Sequence, residues 1–200
     1  MIVFDLCGTL FNSNTTFDFV RFHFKKRAFF IFSVPVRVIS KITNKLFGFD
    51  LVRTLAIRSI KGLSEAELSE MVEEFYVGYL AGKKNEEVME LFQKFSRDVV
   101  IVSASIQPIV KYVSFVLGAK SFIGSELHKV GQCYSGRLSN DLLGNKASFL
   151  RGMNIEMVVT DNFSDIDVVL LSDRAVLVAK DEDIGYWLSV KRVQDVILRV

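Results

Sequence analysis

The 200-residue sequence predicts an α/β fold: a parallel sheet covered on both faces, in three layers, with an all-helical segment inserted after its first strand. Three observations carry this. Short runs of consecutive apolar residues, Ile2-Val-Phe4, Val99-Val-Ile-Val102, Met157-Val-Val-Thr160 and Ala175-Val-Leu-Val-Ala179, lack polar alternation, as strands buried on both faces do. Helical patterns separate the later runs. Between the first and second run no alternation is sustained, and apolar residues recur at spacings of three and four, as in Leu63, Leu68, Met71, Val72 and Phe75.

In chain order, strand Ile2-Val-Phe4 ends in Asp5 and a turn at Gly8-Thr9. A carboxylate at the carboxyl end of a buried strand sits where open α/β sheets place their chemistry. Asn12-Ser-Asn-Thr-Thr16 is a polar loop with helix N-cap candidates at Asn14 and Thr15, and helices follow from about Thr16 to Tyr79. Ser64 with Glu67 forms a capping box that starts one of them. Ala81 to Asn85 breaks the pattern, and Glu86 to Arg97 is again an amphipathic helix. The second strand ends in Ser103-Ala-Ser105, Pro108 to Leu117 is helical, and Ser121 to Gly124 and Cys133 to Leu138 are short strand-like pieces around a turn at Gly131. Lys146 to Arg151 reads as a helix. The strand at Met157 ends in Asp161, and Val196 to Val200 is a last strand. No repeat or low-complexity tract interrupts this order.

Composition narrows the functional classes. Two cysteines, Cys7 and Cys133, make neither a disulfide framework nor a zinc ligand set, and a strand at the very start leaves no room for a leader peptide, so a cytoplasmic setting is expected. No apolar run reaches the roughly 18–20 residues that span a bilayer; Ala28 to Val36 comes nearest, interrupted by Pro35. A net charge of +2 conceals an asymmetry. Between Val20 and Lys61, Arg21, Lys25, Lys26, Arg27, Arg37, Lys41, Lys45, Arg53, Arg58 and Lys61 face only Asp50, and the same part of the chain is rich in Phe, from Phe17 to Phe49. From Glu65 to Glu90 the sign reverses, with eight glutamates. One reading of the basic stretch is a Phe core with a solvated face. The other is an apolar groove with a cationic rim for a lipid phosphate, or peripheral membrane contact. Nucleic acid is not expected as a partner, since no recognised reading motif is present. His23 and His128 have no partners at metal or triad spacing.

Polar groups follow the strands at Asp5, at Ser103 and at Asp161 with Asp165, and Lys146 opens a helix. In this order they resemble the motifs of the haloacid dehalogenase superfamily of phosphohydrolases. Asp5-Leu-Cys-Gly-Thr-Leu10 is similar to its nucleophile motif and Val100 to Ser105 to its second. Gly144-Asn-Lys146 is similar to its third motif, and Val158 to Asp165 to its acidic fourth. A helical insertion after the first motif resembles the branch that includes phosphoserine phosphatase. Its apolar, basic opening is closer to members acting on lipid phosphates, such as phosphatidylglycerophosphatase. The resemblance implies a Rossmann-like core, residues 1–12 and 81–200, with a helical cap over residues 13–80. It implies a Mg²⁺-dependent phosphoric monoester hydrolase acting on a phosphorylated small molecule or lipid phosphate. Asp5 would be the nucleophile. Asp5, Asp161 and the backbone carbonyl of Cys7 would hold the metal, and Asp165 would orient its water shell. Ser103 and Lys146 would bind the phosphoryl oxygens.

Cys7 departs from the family's pattern, which places a second Asp there as general acid and base. A thiol with a pKa of about 8.5 replaces a carboxylate poorly at neutral pH, and losing such a group costs about 10²–10⁴ in rate. Cys7 is not read as a thiol nucleophile, because Ser13 stands where cysteine phosphatases carry an arginine. Three expectations follow: a phosphatase of reduced turnover, a phosphotransferase, or a protein that binds a phosphate ester or a partner without turning it over.

Overall fold

A computed structural model describes residues 1–48, 50–179, 181–190 and 193–198, with side chains excepted at 47, 181 and 193–198. Phe49, in the Phe-rich stretch, and Arg199 and Val200, at the end of the last expected strand, lie outside the described residues.

Strand β1 (Ile2–Phe4) is followed by five helices: α1 (Thr15–His23), α2 (Lys25–Ile31), α3 (Val34–Phe47), α4 (Leu51–Arg58) and α5 (Glu65–Gly78). Then come α6 (Glu86–Phe95), β2 (Val99–Ile106), α7 (Gln107–Leu117), the hairpin β3 (Ser121–Val130) and β4 (Cys133–Asn140), and α8 (Lys146–Leu150). The chain continues through β5 (Ile155–Thr160), α9 (Ile166–Leu171), β6 (Ser172–Ala179), α10 (Asp181–Leu188) and β7 (Val193–Leu198). The strands form one sheet in the order β4-β3-β2-β1-β5-β6-β7, parallel except for β4. The chain leaves β1 on one side through β2 and returns on the other through β5. The order therefore reverses at β1, where doubly wound sheets open a crevice at their carboxyl ends.

The strands read as unbroken apolar runs because both faces are covered, and the two-residue period divides them cleanly. Ile2, Phe4, Val99, Ile101, Met157 and Val159 enter one core with residues of α1, α4, α5 and α7. Val3, Val100, Val102, Val158, Ala175 and Leu177 enter the other with Leu150, Val168, Val169 and Trp187. The first core runs without a break from the sheet into the inserted helices, through Phe19, Ala56, Leu68, Val72 and Phe75.

The local signals act as their chemistry requires. The Asn14 side chain caps α1 by accepting from the Phe17 N–H, and Ser64 with Glu67 closes a reciprocal capping box on α5. The hairpin differs from the expectation. β3 and β4 are longer than the pieces read from sequence, and β4 is antiparallel. Polar residues such as Glu126, His128 and Lys129 hide its length. The arm is also held from outside, by the Gly62 N–H donating to the Tyr134 carbonyl and the Tyr134 N–H to the Leu63 carbonyl, at 2.9 and 2.8 Å.

A second tie joins the inserted helices to the sheet. Buried Arg53 of α4 donates to both carboxylate oxygens of Asp141, at 3.2 and 2.7 Å, and to the Ala104 carbonyl at 2.7 Å. Bonds from a guanidinium to a carboxylate contribute more than neutral ones. Arg53→Ala is expected to cost about 1.5–3 kcal/mol in a urea titration, since it removes charge-assisted hydrogen bonds and leaves Asp141 and the Ala104 carbonyl with neutral donors such as the Ser125 hydroxyl.

Candidate active site

The crevice at the reversal point collects the six residues singled out in the sequence, in two adjoining groups. Phe4 pairs with Ile101 on one side and with Val159 on the other. Asp5 therefore stands one residue beyond that line, and Ser103 and Asp161 each stand two beyond it. The Asp5 N–H continues the ladder to the Val159 carbonyl at 2.9 Å. Gly8 then turns the chain at φ 73°, a left-handed conformation that side chains disfavour. Its N–H donates to the Phe11 carbonyl at 2.8 Å, which closes the loop carrying Cys7.

The first group is ionic. Lys146, at the start of α8, places its Nζ 2.9 Å from Asp5 Oδ1 and 2.7 Å from Asp165 Oδ2, and all three residues are buried. Thr160 donates its hydroxyl to the same Asp165 oxygen at 2.7 Å, and the Leu6 N–H donates to Asp5 Oδ1 at 2.7 Å. Asp161 is tied to the first loop: Thr9 Oγ1 donates to its carboxylate at 2.9 Å and accepts its N–H at 3.0 Å. The loop between Asp161 and Asp165 is weighted by Phe163, which stacks on the buried Trp187 of α10 with ring centres 4.8 Å apart.

Burial pushes the Asp5 carboxyl up to about 7; the Lys146 ammonium opposes this, and the carboxylates of Asp165 and Asp161 add to it. The same two partners, Asp5 and Asp165, outweigh desolvation at Lys146 and hold its ammonium above the usual lysine value. Lys146→Ala would leave two buried carboxylates uncompensated. A loss of about 3–5 kcal/mol is expected in a denaturant titration at neutral pH, shrinking on acidification as Asp5 takes up its proton.

The second group surrounds Cys7. Its Sγ lies 3.1 Å from Thr15 Oγ1 and 3.0 Å from Ser105 Oγ, and it accepts the Thr15 N–H at 3.4 Å. The hydroxyls of Thr15 and Ser105 also bond each other. Ser103 donates its hydroxyl to Ser105 Oγ at 3.3 Å. Burial first, and the Asp5 carboxylate second, push the Cys7 thiol up, and the bonds from Ser105 and Thr15 only partly oppose them. At neutral pH this sulfur is a protonated thiol. Thr15 and Ser105 were not singled out in the sequence. A hydroxyl at a helix start and another at a strand end carry no signal until the fold brings them to one thiol. His23 is placed structurally, among the rings of Phe19, Phe22 and Phe24, with Nε2 2.7 Å from the Met71 carbonyl.

Asp5, Asp161 and the Cys7 carbonyl are the oxygen donors that could hold a small divalent cation. Asp5, Asp161 and Asp165 bring three carboxylates against one ammonium among the described residues. Their crowding adds to the burial that raises Asp5, and hard oxygen donors are what Mg²⁺ selects. Among the described residues no group of three or more His, Cys, Asp or Glu side chains stands ready to ligate a metal. The expected set of two carboxylates and one carbonyl is smaller than such a group.

A model of the family described as haloacid dehalogenase-like hydrolase matches residues 2–169, which include all six of these positions. The chain belongs to that family. Several solved structures share the fold. A protein of unknown function from Bordetella pertussis Tohama I is 14% identical with a TM-score of 0.76, over 98% of this chain and 97% of that one. A phospho-aspartyl intermediate analogue of phosphoserine phosphatase is 17% identical with a TM-score of 0.60, over 98% and 91%. Cytosolic 5'-nucleotidase IIIB bound to cytidine is 11% identical with a TM-score of 0.61, over 98% and 79%. At such identities the likeness is one of fold. No curated protein matches the sequence. The family match makes the chain a haloacid dehalogenase-like hydrolase in its broad class, and the structural neighbours add the shared fold.

Proposed function

We propose that this family member is a Mg²⁺-dependent phosphoric monoester hydrolase of reduced turnover, working through Asp5, with residues 13–80 as a cap over the site. The observation that carries the proposal is the pairing of buried Asp5 with Lys146 beside a neutral thiol at Cys7. Asp5, Asp161 and the Cys7 carbonyl would hold the ion, with Asp165 orienting its water. Once bound, the ion would offset the negative charge of the phosphoryl oxygens.

Lys146 keeps Asp5 oriented and adds positive charge where the phosphoryl group must sit, and Ser103 contributes a hydroxyl to the same crevice. A carboxylate oxygen of Asp5 bonds to phosphorus as the ester P–O bond breaks, and the departing oxygen leaves with the electron pair and takes a proton. Water then attacks phosphorus, the bond to Asp5 breaks, and a base must accept the water's proton. Cys7 stands where both proton transfers are needed. Its raised thiol pKa makes it a weak acid for the first step and leaves almost no thiolate for the second. An aryl phosphate, whose phenolate leaves without a proton, bypasses the first difficulty and meets only the second.

The test is Mg²⁺-dependent release of product from an aryl phosphate and from a panel of alkyl, sugar and lipid phosphates. Intact-mass analysis of the acid-quenched protein follows. The expected result is a burst of phenolate of about one equivalent per protein, followed by slow turnover. One phosphoryl group should be found on Asp5. Turnover without a burst or a phosphorylated Asp5 overturns the mechanism. Binding of the panel compounds with no burst at all would favour the second reading, a protein that recognises a phosphate ester without cleaving it.

A further inference from the structure

A surface helix ordinarily turns its apolar face inward and its polar face to water. Helix α3 does both and something more. Its inward side carries Val36 and Ser40, both buried. Ser40 Oγ donates to Asp50 Oδ1 at 2.9 Å and accepts the Val52 N–H at 3.1 Å, which pins α3 to the start of α4. On the opposite side, Val34, Val38, Ile42 and Leu46 recur every fourth residue, and all four are exposed, Val34 at 71%. Ile39 widens the stripe. At the end of α2, Phe29 is 85% exposed and Phe30 63%. Water therefore meets seven large apolar side chains on one helical hairpin, whereas scattered single ones are the norm.

The polar residues that border the stripe have one sign. Lys25, Lys26, Arg27, Arg37, Lys41 and Lys45 are all exposed, and residues 24–48 contain no acidic residue. Arg37, Lys41 and Lys45 form a second row at the same four-residue spacing, directly beside the apolar row. Beside Phe30, a cleft of about 590 Å³ is lined by Lys26, Arg27, Arg58 and Lys61. Among the described residues, no helix is long and apolar enough to cross a membrane.

We propose that the α2–α3 hairpin is a membrane-docking surface, which seats Phe29, Phe30 and the Val34–Leu46 stripe in the interface of an anionic bilayer with its lysines and arginines on the lipid phosphates. A second copy of the chain fits the surface poorly, because a symmetric pairing would set the same six cations against one another. An anionic lipid surface supplies apolar depth and negative charge together, and long basic side chains can reach headgroups while their stems stay in the apolar layer. Each basic residue near such a surface contributes about fivefold in partition. The inference does not depend on the catalytic reading, since none of these side chains belongs to the Asp5 or Cys7 groups.

The test is sedimentation of the full chain with vesicles of phosphatidylcholine alone, and with vesicles containing phosphatidylglycerol as a substantial fraction, at near-physiological salt. Phe29→Ser with Phe30→Ser, and Lys41→Glu with Lys45→Glu, are run beside the wild type. Their thermal melts and gel-filtration volumes are measured as well. Retention by anionic vesicles only is expected, falling about tenfold or more in each double variant with an unchanged melt. No retention, equal retention by both vesicles, or retention indifferent to both double variants overturns the proposal. So does a wild type that runs as a dimer while Phe29→Ser with Phe30→Ser runs as a monomer and vesicles capture neither; the face would then be an interface between copies.

Discussion

Cys7→Asp is expected to raise Mg²⁺-dependent turnover by about 10²–10⁴, the usual contribution of a positioned general acid and base. The surroundings already suit a carboxylate. The hydroxyls of Thr15 and Ser105 and the Thr15 N–H converge on the sulfur, and each can donate to an oxygen in its place. The substituted carboxyl would lie beside Asp5, and two neighbouring carboxyls share protons more readily than a thiol and a carboxyl do. The gain should be larger on alkyl phosphates, which need a proton for the leaving alcohol, than on aryl phosphates, which do not. The measurement is steady-state kcat on both substrate types, with the burst amplitude on the aryl ester. Disappearance of the burst as turnover rises would place the gain in the second step. A Cys7→Asp protein no faster than wild type, on a substrate that wild type does cleave, would mean that proton transfer at this position does not limit the reaction.

Asp5→Asn is expected to move activity and stability in opposite directions. Activity should fall by about 10⁴ or more, since an amide cannot replace the attacking carboxylate. Stability of the metal-free protein should rise at neutral pH. Asp5 holds its proton up to about pH 7 in the folded chain, against an ordinary value of 3.8. Between those values the folded state binds more protons than the unfolded one, so the contribution of Asp5 to stability is lost as pH rises through that window. A neutral amide escapes this penalty, and its oxygen can still accept from Lys146 Nζ and the Leu6 N–H. A shift of this size corresponds to a gain of at most roughly 4 kcal/mol above pH 7, or about 2–4 °C in melting temperature for each kcal/mol realised. Thermal melts without divalent cation, at about pH 8 and about pH 4, check the sign: the difference should close at the acid end. Added Mg²⁺ should stabilise the wild type and leave Asp5→Asn nearly unchanged. A variant that loses both activity and stability at neutral pH would make Asp5 a structural partner of Lys146.

Lys146 makes the contrast. Asp5 and Lys146 form one ion pair, yet removing the acid relieves crowding among Asp5, Asp161 and Asp165, whereas removing the base exposes it. Opposite signs from the two partners of one contact are what a site assembled for function, rather than for stability, should give.

The sequence alone carried whatever local chemistry decides. The strands at Ile2, Val99, Met157 and Ala175 announce themselves because a strand covered on both faces needs apolar residues at every position. The helix starts at Asn14 and Ser64 were readable because a cap acts within three residues. The family's motifs place Asp5, Ser103, Lys146, Asp161 and Asp165 at strand and helix ends, and the fold collects them in one crevice. Helices α9 and α10 escaped because Ile166 to Leu171 is only six residues, apolar but for Asp167 and too short to show a period, and because what marks α10 is Trp187 packing under Phe163. Tertiary structure alone decided the rest. Cys7 meets Ser105 at a separation of 98 positions and Arg53 meets Asp141 at one of 88, and no pattern within a window links such pairs. Exposure belongs to the same class. The spacing of Val34, Val38, Ile42 and Leu46 reads equally well as a core face, and only the packing of Val36 and Ser40 inward turned it out to water.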